Sequence, residues 1–288
     1  MTQRTPFKTA VVGLIWGWML LFAFLPNLLV IVASFLRRDD VRFIRWEWSL
    51  ESYARLLDPT YASVFMHSLY MAVHTTIVCL LIGYPFAYAL SRLPARVKPL
   101  LIFLVILPFW TNSLVRTYAM KLLLSTNGLL NQALSALGLI DQPLRMLYTE
   151  GAVIAGLVYV LLPFMILPLY AVFEQLRSDL LEVSSDLGAT RWRTFRYVVL
   201  PLTMPGVIAG CLLVLIPAVG MFYVADVLGG ARHLLIGNVI KNQFLDARDW
   251  PFGSAVSILL TAAMALLLYA YYLSTKLVRR WGTHDALG

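Results

Sequence analysis

Long apolar runs separated by short polar stretches dominate the chain, and most runs reach the length a helix needs to cross a bilayer. A hydrocarbon core of about 30 Å takes roughly 20 apolar residues per helix. On that ruler the sequence predicts about six spans, over residues 9–36, 64–93, 100–115, 151–176, 205–227 and 253–273. The third is the weakest, because Trp110, Thr111, Asn112, Ser113 and Arg116 make its end polar. Helices are the expected form, since lipid leaves backbone groups unsatisfied and no alternating barrel pattern is present. The fold class is therefore an all-α polytopic membrane protein, read as one membrane domain over residues 1–288. Pro26, Pro85, Pro108, Pro163, Pro168 and Pro217 interrupt the runs and predict bends or ordinary kinks. In the last run Gly253, Ser254, Ala255, Ser257, Thr261, Ala262 and Ala263 supply small residues for close helix contact.

Between the fourth and fifth runs, residues 177–201 form a polar insert with a helical pattern of their own. Leu180, Val183 and Leu187 fall on one face, with Asp179, Glu182 and Asp186 on an adjacent one. Asp179 and Glu182 have the spacing of a capping box. Gly188 suits a left-handed helix end, and Thr190 is placed to cap a second short helix carrying Arg191, Arg193 and Arg196. Pro201 and Pro205 are expected to end the insert. An apolar stripe beside an acidic one suits either a groove on a soluble partner or the lipid surface.

Composition agrees with a membrane chain: 60% of residues are hydrophobic and 13% charged, with mean hydropathy +0.77. The 23 basic residues exceed the 15 acidic ones, but the cations sit at the ends of apolar runs, so no nucleic-acid face is indicated. With the N-terminus inside, the inner segments carry Arg4, Lys8, Arg92, Arg96, Lys98, Arg177, Arg191, Arg193, Arg196, Lys276, Arg279 and Arg280. The outer ones carry nearly as many cations, including Arg42, Arg116 and Arg232, but are longer and hold most of the acids. Basic density favours both termini in the cytoplasm. The run at 9–36 is too long for a signal peptide and is read as an uncleaved span. Cys79 and Cys211 lie in apolar runs and form no CxxC pair, which points to buried packing. His67 and His74 are the nearest approach to a metal pair, and without a third ligand nearby in sequence no metal site is expected. No P-loop and no nucleophile elbow occur, so an ATPase or hydrolase reading has little support.

The spacing of Glu182, Gly188, Val198 and Leu200-Pro201 resembles the EAA loop of bacterial ABC-importer permeases, with Val183 and Ser184 where the family carries alanines. Segments such as 24–27, 81–86, 107–113, 161–164, 201–206, 222–226, 235–238 and 248–251 extend the likeness over nearly the whole chain, and resemble the B-type permeases of spermidine/putrescine importers. The resemblance implies a type I ABC importer permease fold in a bacterial inner membrane. It implies a coupling helix that inserts into an ATPase subunit, with Asp179, Glu182, Asp186, Leu187, Gly188 and Pro201 in that loop. The implied partners are a homologous C-type permease, two copies of an ABC ATPase and a periplasmic polyamine-binding protein. No cofactor is expected on this chain, ATP and Mg belonging to the partner ATPases.

A polyamine path needs carboxylates for ammonium groups and aromatic faces for cations and methylenes. Phe222, Tyr223 and Asp226 offer both, with Lys241 a candidate counter-charge for Asp226; an interfacial aromatic belt with one solvated acid is the alternative. Trp110, Thr111 and Asn112 form a second candidate lining, or an interfacial anchor. The acids Asp39, Asp40, Glu47, Glu51 and Asp58 alternate with arginines, which favours a neutral solvated loop over a docking surface. Rival readings are a permease for another solute, such as putrescine alone or an oxyanion, and a membrane enzyme or sensor. The first would show a different lining, and the second a catalytic cluster or signalling domain.

Overall fold

The computed structural model describes residues 6–39, 43–230 and 233–284; Arg4, Asp40, Arg42 and Arg232 lie outside them. Five described helical stretches are long and apolar enough to cross a membrane: Ala10–Ser34, Pro59–Arg92, Glu150–Glu174, Arg191–Gly220 and Trp250–Leu273. The pair Lys98–Trp110 and Ser113–Ala136, bent by 95°, is apolar and long enough to make a sixth when the two are taken as one span. The expected bend is thus at the polar stretch that weakened the third run. Pro108 lies in a 3₁₀ turn there, while Pro85, Pro163, Pro168 and Pro217 sit inside continuous helices.

The chain divides into two compact units. One comprises residues 1–63 and 239–263. Helices α1 (Pro6–Met19) and α2 (Leu25–Ser34) are joined by a π-helical turn over Leu20–Phe24. Leu14, Trp16 and Trp18 are exposed, as lipid-facing residues of a span are. An antiparallel pair follows, β1 (Leu36–Asp39) with β2 (Phe43–Trp48). This hairpin was expected as a solvated loop, because its alternating charges obscure the strand pattern. Arg45 meets Glu47 at 2.8 Å, and Arg37 reaches Glu47 at 4.0 Å and, in the helix that follows, Glu51 at 3.8 Å. Such exposed pairs contribute about 0–1 kcal/mol each.

After the short helix α3 (Glu51–Leu56), α4 (Pro59–Arg92) begins in this unit, which also holds the end of α13 (Ile236–Leu245) and the start of α14 (Trp250–His284). Asp249 fastens the unit together. Its carboxylate is 1% exposed, accepts from Arg55 at 2.7 Å and from the Phe252 amide at 3.1 Å, and lies 3.7 Å from Arg38. The Arg55 guanidinium also covers the buried Phe252 ring at 4.1 Å. The small residues at 253–255 are buried, a Cβ on Gly253 meeting the Phe244 ring at 3.0 Å. Farther on, Ser257 and Thr261 turn their hydroxyls back to their own helix.

The second unit comprises residues 64–238 and 264–288. The bent pair supplies α5 (Lys98–Ile106), α6 (Ser113–Leu124) and α7 (Leu129–Ala136). The remaining elements are α8 (Glu150–Glu174), α9 (Ser178–Asp186), α10 (Arg191–Thr194), α11 (Leu200–Gly220) and α12 (Phe222–Val224). Helices α8 and α11 pack closely where glycines remove side chains. A Cβ on Gly210 would stand 2.7 Å from Met165 Sδ, and one on Gly206 2.9 Å from Val172. Dispersion at such contacts is what holds helices together in lipid, where apolar burial from water is no longer the drive. A core of Met71, Leu157, Val224, Leu228 and Leu235 lies where α4, α8 and the 222–235 segment meet.

Candidate functional site

The polar insert folds largely as its capping residues dictate. Helix α9 ends in a Schellman turn: Gly188 has φ +76, its amide bonds the Ser185 carbonyl, and the Ala189 amide reaches that of Ser184. Thr190 caps α10 by accepting from the Arg193 amide at 3.4 Å. The capping box does not form. Arg177 is the N-cap of α9, and its guanidinium holds Asp179 inside the first turn, with Nε at 3.1 Å. That hydrogen bond, chiefly, holds the Asp179 carboxyl below the ordinary aspartate range. The acid nearest the helix start is thus already neutralised locally.

Leu180, Val183 and Leu187 are 41%, 54% and 82% exposed, so the apolar stripe is unburied by this chain. Glu182 and Asp186 are exposed on the adjacent face. The opposite side attaches to the body. Ser184 is buried and meets Thr194 Oγ1 at 3.0 Å. Helix α10 then runs through a π-helical turn, Phe195–Val199, directly into α11. Pro201 and Pro205 therefore do not end the insert: the fifth span starts at Arg191, and the π-helical turn, closed by the Leu200 amide on the Phe195 carbonyl, leads straight into Pro201. A cavity of about 690 Å³ lies behind the loop, between Tyr84, Pro85 and Tyr88 of α4 and Leu181, Ser185, Thr194 and Phe195. Tyr84 crosses to Thr203 at 2.9 Å, and Lys98 pairs with Glu174 at the end of α8.

The predicted fifth run ends early as well. Helix α11 stops at Gly220, and Met221 leaves the helical region with ψ 69. Phe222–Val224 is one turn, followed by a π-helical turn at Ala225–Gly229 that closes on Gly230 with φ +62. The opening of α13 packs against this break so tightly that a Cβ on Gly237 would stand 2.3 Å from the Gly220 carbonyl oxygen. Phe222 and Tyr223 meet edge to face at 6.1 Å, with Asp226 half-buried beyond them. The group that orients Asp226 is Asn238, which sequence reasoning gave no chemical role. Its buried side-chain amide donates to Asp226 Oδ1 and to the Phe222 carbonyl at 3.1 Å, and its Oδ1 accepts from the Leu235 amide at 2.9 Å. Lys241 lies in the other unit, so its pairing with Asp226 remains an expectation from sequence.

At the break in the third span, Thr111 bonds the Pro108 carbonyl at 2.9 Å and Asn112 caps α6 through the Leu114 amide at 2.8 Å. Both polar side chains are engaged locally, whereas the Trp110 ring is 73% exposed and edge-on to Phe103. Arg116, one turn later, is buried, with Nε and Nη1 unpartnered and the guanidinium 5.9 Å from the Tyr159 ring. The histidines part company. His74 bonds the Tyr70 carbonyl at 2.9 Å, while His67 turns towards Glu150 and His233.

A family model described as "Binding-protein-dependent transport system inner membrane component" matches residues 68–281. The chain belongs to this family. It is thus a multi-pass inner-membrane component of such a transport system. Among curated relatives, it is 54% identical over 280 residues to the spermidine/putrescine transport system permease protein PotB of Salmonella typhimurium (strain SL1344), covering 97% of this chain and 98% of that one. It is 56% identical over 264 residues to the protein of the same description from Escherichia coli (strain K12), covering 92% and 96%. The inner membrane ABC transporter permease protein YdcU of Escherichia coli (strain K12) is more distant, at 32% over 255 residues, covering 84% and 78%. Among solved structures, a chain of a bacterial alginate ABC transporter, in complex with an alginate pentasaccharide-bound periplasmic protein, superposes with TM-score 0.77 at 16% identity, covering 94% and 95%. The MetNI methionine ABC transporter gives 0.57 at 18%, covering 79% and 98%. The chain therefore has the fold of ABC-importer permeases.

Proposed function

We propose that this chain is the B-type permease subunit of an ATP-driven importer that carries spermidine, putrescine or both from periplasm to cytoplasm. The observation that carries the coupling half of this reading is α9. It is a short helix with an apolar stripe left bare, joined to the fifth span through Ser184–Thr194 and an unbroken run of helix from Arg191. A push on α9 would pass to α11 through the Gly188–Thr190 turn and the Ser184–Thr194 contact. Leu180, Val183 and Leu187 would fill a cleft on an ATPase subunit, Glu182 and Asp186 would choose its basic rim, and Gly188 and Pro201 would shape the loop's return. The soluble-partner reading is preferred to the lipid surface because the adjacent face is acidic rather than basic.

The polyamine half rests on the near full-length identity to the two spermidine/putrescine permeases and on the chemistry at the α11 break. Asn238 positions the Asp226 carboxylate, and a carboxylate accepts several hydrogen bonds, so an ammonium can join the same group. Phe222 and Tyr223 add faces worth about 0.5–2 kcal/mol to a cation, and Trp110 offers a further ring. The chain itself makes no bonds and breaks none. Hydrolysis belongs to two ATPase subunits with their ATP and Mg, and this chain would form half of the pathway with a C-type permease. Basic density puts both termini and α9 in the cytoplasm, leaving the hairpin side to a periplasmic polyamine-binding protein.

The test is co-purification. Tagged chain should retain the ATPase in detergent and in lipid nanodiscs, whereas Leu187→Asp should lose it while still inserting in the membrane. Retention of the ATPase by that variant would remove α9 from the coupling role.

A further inference from the structure

Within the second unit, three metal-ligating side chains from three separate elements converge. They are His67 of α4, Glu150 in the first turn of α8, and His233 just after the π-helical turn. Their ligand atoms all lie within 4.8 Å of one another, and His233 Nδ1 stands 3.8 Å from Glu150 Oε1. The imidazoles of His67 and His233 face each other with centroids 6.3 Å apart and planes inclined at 29°. A second observation points to a ligand: His67 Nε2 is buried and has no hydrogen-bond partner. A buried acceptor left unpaired is unfavourable, and a coordinated ion would remove that cost.

The backbone is built to bring His233 to this point. The Tyr148 amide bonds the Leu228 carbonyl at 2.9 Å, tying the start of α8 to the π-helical turn. Gly230 turns the chain with φ +62, and a Cβ on Gly229 would stand 3.1 Å from that of His233. Glu150 needs no capping duty, since Thr149 already caps α8. Two neutral imidazoles and one carboxylate are a borderline-soft set that suits Zn²⁺ and its neighbours better than Mg²⁺ or Ca²⁺. Bonds of about 2.0–2.2 Å at tetrahedral angles place ligand atoms about 3.4 Å apart. The cluster reaches that by side-chain shifts of about 1 Å.

We propose that His67, Glu150 and His233 form a binding site for a divalent transition metal of the Zn²⁺ type, and that its occupancy restrains transport. The ion would cross-link α4, the start of α8 and the segment that follows Asp226. The restraint rests on the transport reading above, whereas the metal site does not.

The assembled transporter in nanodiscs, stripped with chelator, is titrated with Zn²⁺ against a competing dye. The wild type should bind one equivalent more than the His67→Gln and His233→Ala complexes, and Glu150→Gln should weaken that equivalent by more than about tenfold. Co²⁺ in its place should give the visible bands of a tetrahedral nitrogen/oxygen site, absent in His67→Gln. Equal stoichiometry in wild type and His67→Gln would overturn the site. In proteoliposomes, Zn²⁺ should slow wild-type uptake reversibly and leave His67→Gln unaffected. Metal bound with uptake unchanged would overturn the restraint. Absence of polyamine uptake under all conditions would count against the transport reading alone, since the titration is read without it.

Discussion

Asn238 donates its buried side-chain amide to the carboxylate of Asp226 across a turn of chain that starts where α11 breaks. The same amide holds the Phe222 carbonyl, so one residue fixes both the acid and the backbone that carries the neighbouring rings. Asp226→Asn keeps the size and removes the charge. If the carboxylate meets an ammonium, uptake should fall by about tenfold or more, a loss of roughly 1.4 kcal/mol or greater, with assembly intact. Asn238→Ala should do similar harm for a different reason, because the Asp226 carboxylate loses its guide and the Leu235 amide loses its acceptor. Its complex should also melt earlier, which Asp226→Asn should not.

Tyr223 separates ring from hydroxyl. An aromatic face attracts a cation by about 0.5–2 kcal/mol, so Tyr223→Ala should reduce uptake by about two- to thirtyfold. Tyr223→Phe should retain most of it. Equal loss in both would assign the effect to the hydroxyl, and no loss in either would move attention to Trp110.

In the loop that carries α9, Gly188 and Glu182 should fail in distinguishable ways if that loop couples to an ATPase. No atom lies within 4 Å of a Cβ built on Gly188, so Gly188→Ala is opposed only by its φ of +76, a strain of about 1–2 kcal/mol. It should loosen α9 and lower the uptake obtained per ATP hydrolysed. Glu182→Lys reverses an exposed charge without altering the fold, and should weaken ATPase association itself. Pull-down efficiency and the hydrolysis-to-uptake ratio separate the two.

Asp249 tests the first unit. It is buried, paired with Arg55 and bonded to the Phe252 amide. Asp249→Ala leaves the buried Phe252 amide without its acceptor, a cost of about 1–3 kcal/mol, while Arg55, 40% exposed, can take up water in place of the carboxylate. Asp249→Ala should therefore lower the yield of folded protein, measured as monodisperse complex after detergent extraction. Arg55→Lys should be milder, keeping the charge and losing the guanidinium's cover over Phe252.

The sequence makes the spans legible because apolar length is a local signal, and the loop legible because Gly188 and Thr190 act on their immediate neighbours. What it hides lies at a distance or in backbone detail. Nothing local says that the helix runs through a π-helical turn at 195–199 and on through Pro201, so the fifth span looked shorter at its start than it is. The Asp226 partner lies in the next helix, and the His67 cluster draws on residues far apart in the chain, which periodicity cannot bring together. The hairpin at 36–48 was masked by its charges. Asp179 had the spacing for a capping box, but Arg177, one residue before α9, took the carboxylate first.

The most direct measurement is uptake of labelled spermidine and putrescine into proteoliposomes holding the full transporter, with ATP sealed on the ATPase side and binding protein on the other. Accumulation that needs ATP and loaded binding protein, and that collapses in Glu182→Lys and Asp226→Asn, is the predicted result. Polyamine crossing the bilayer without ATP, or undiminished by both substitutions in an assembled complex, would contradict it.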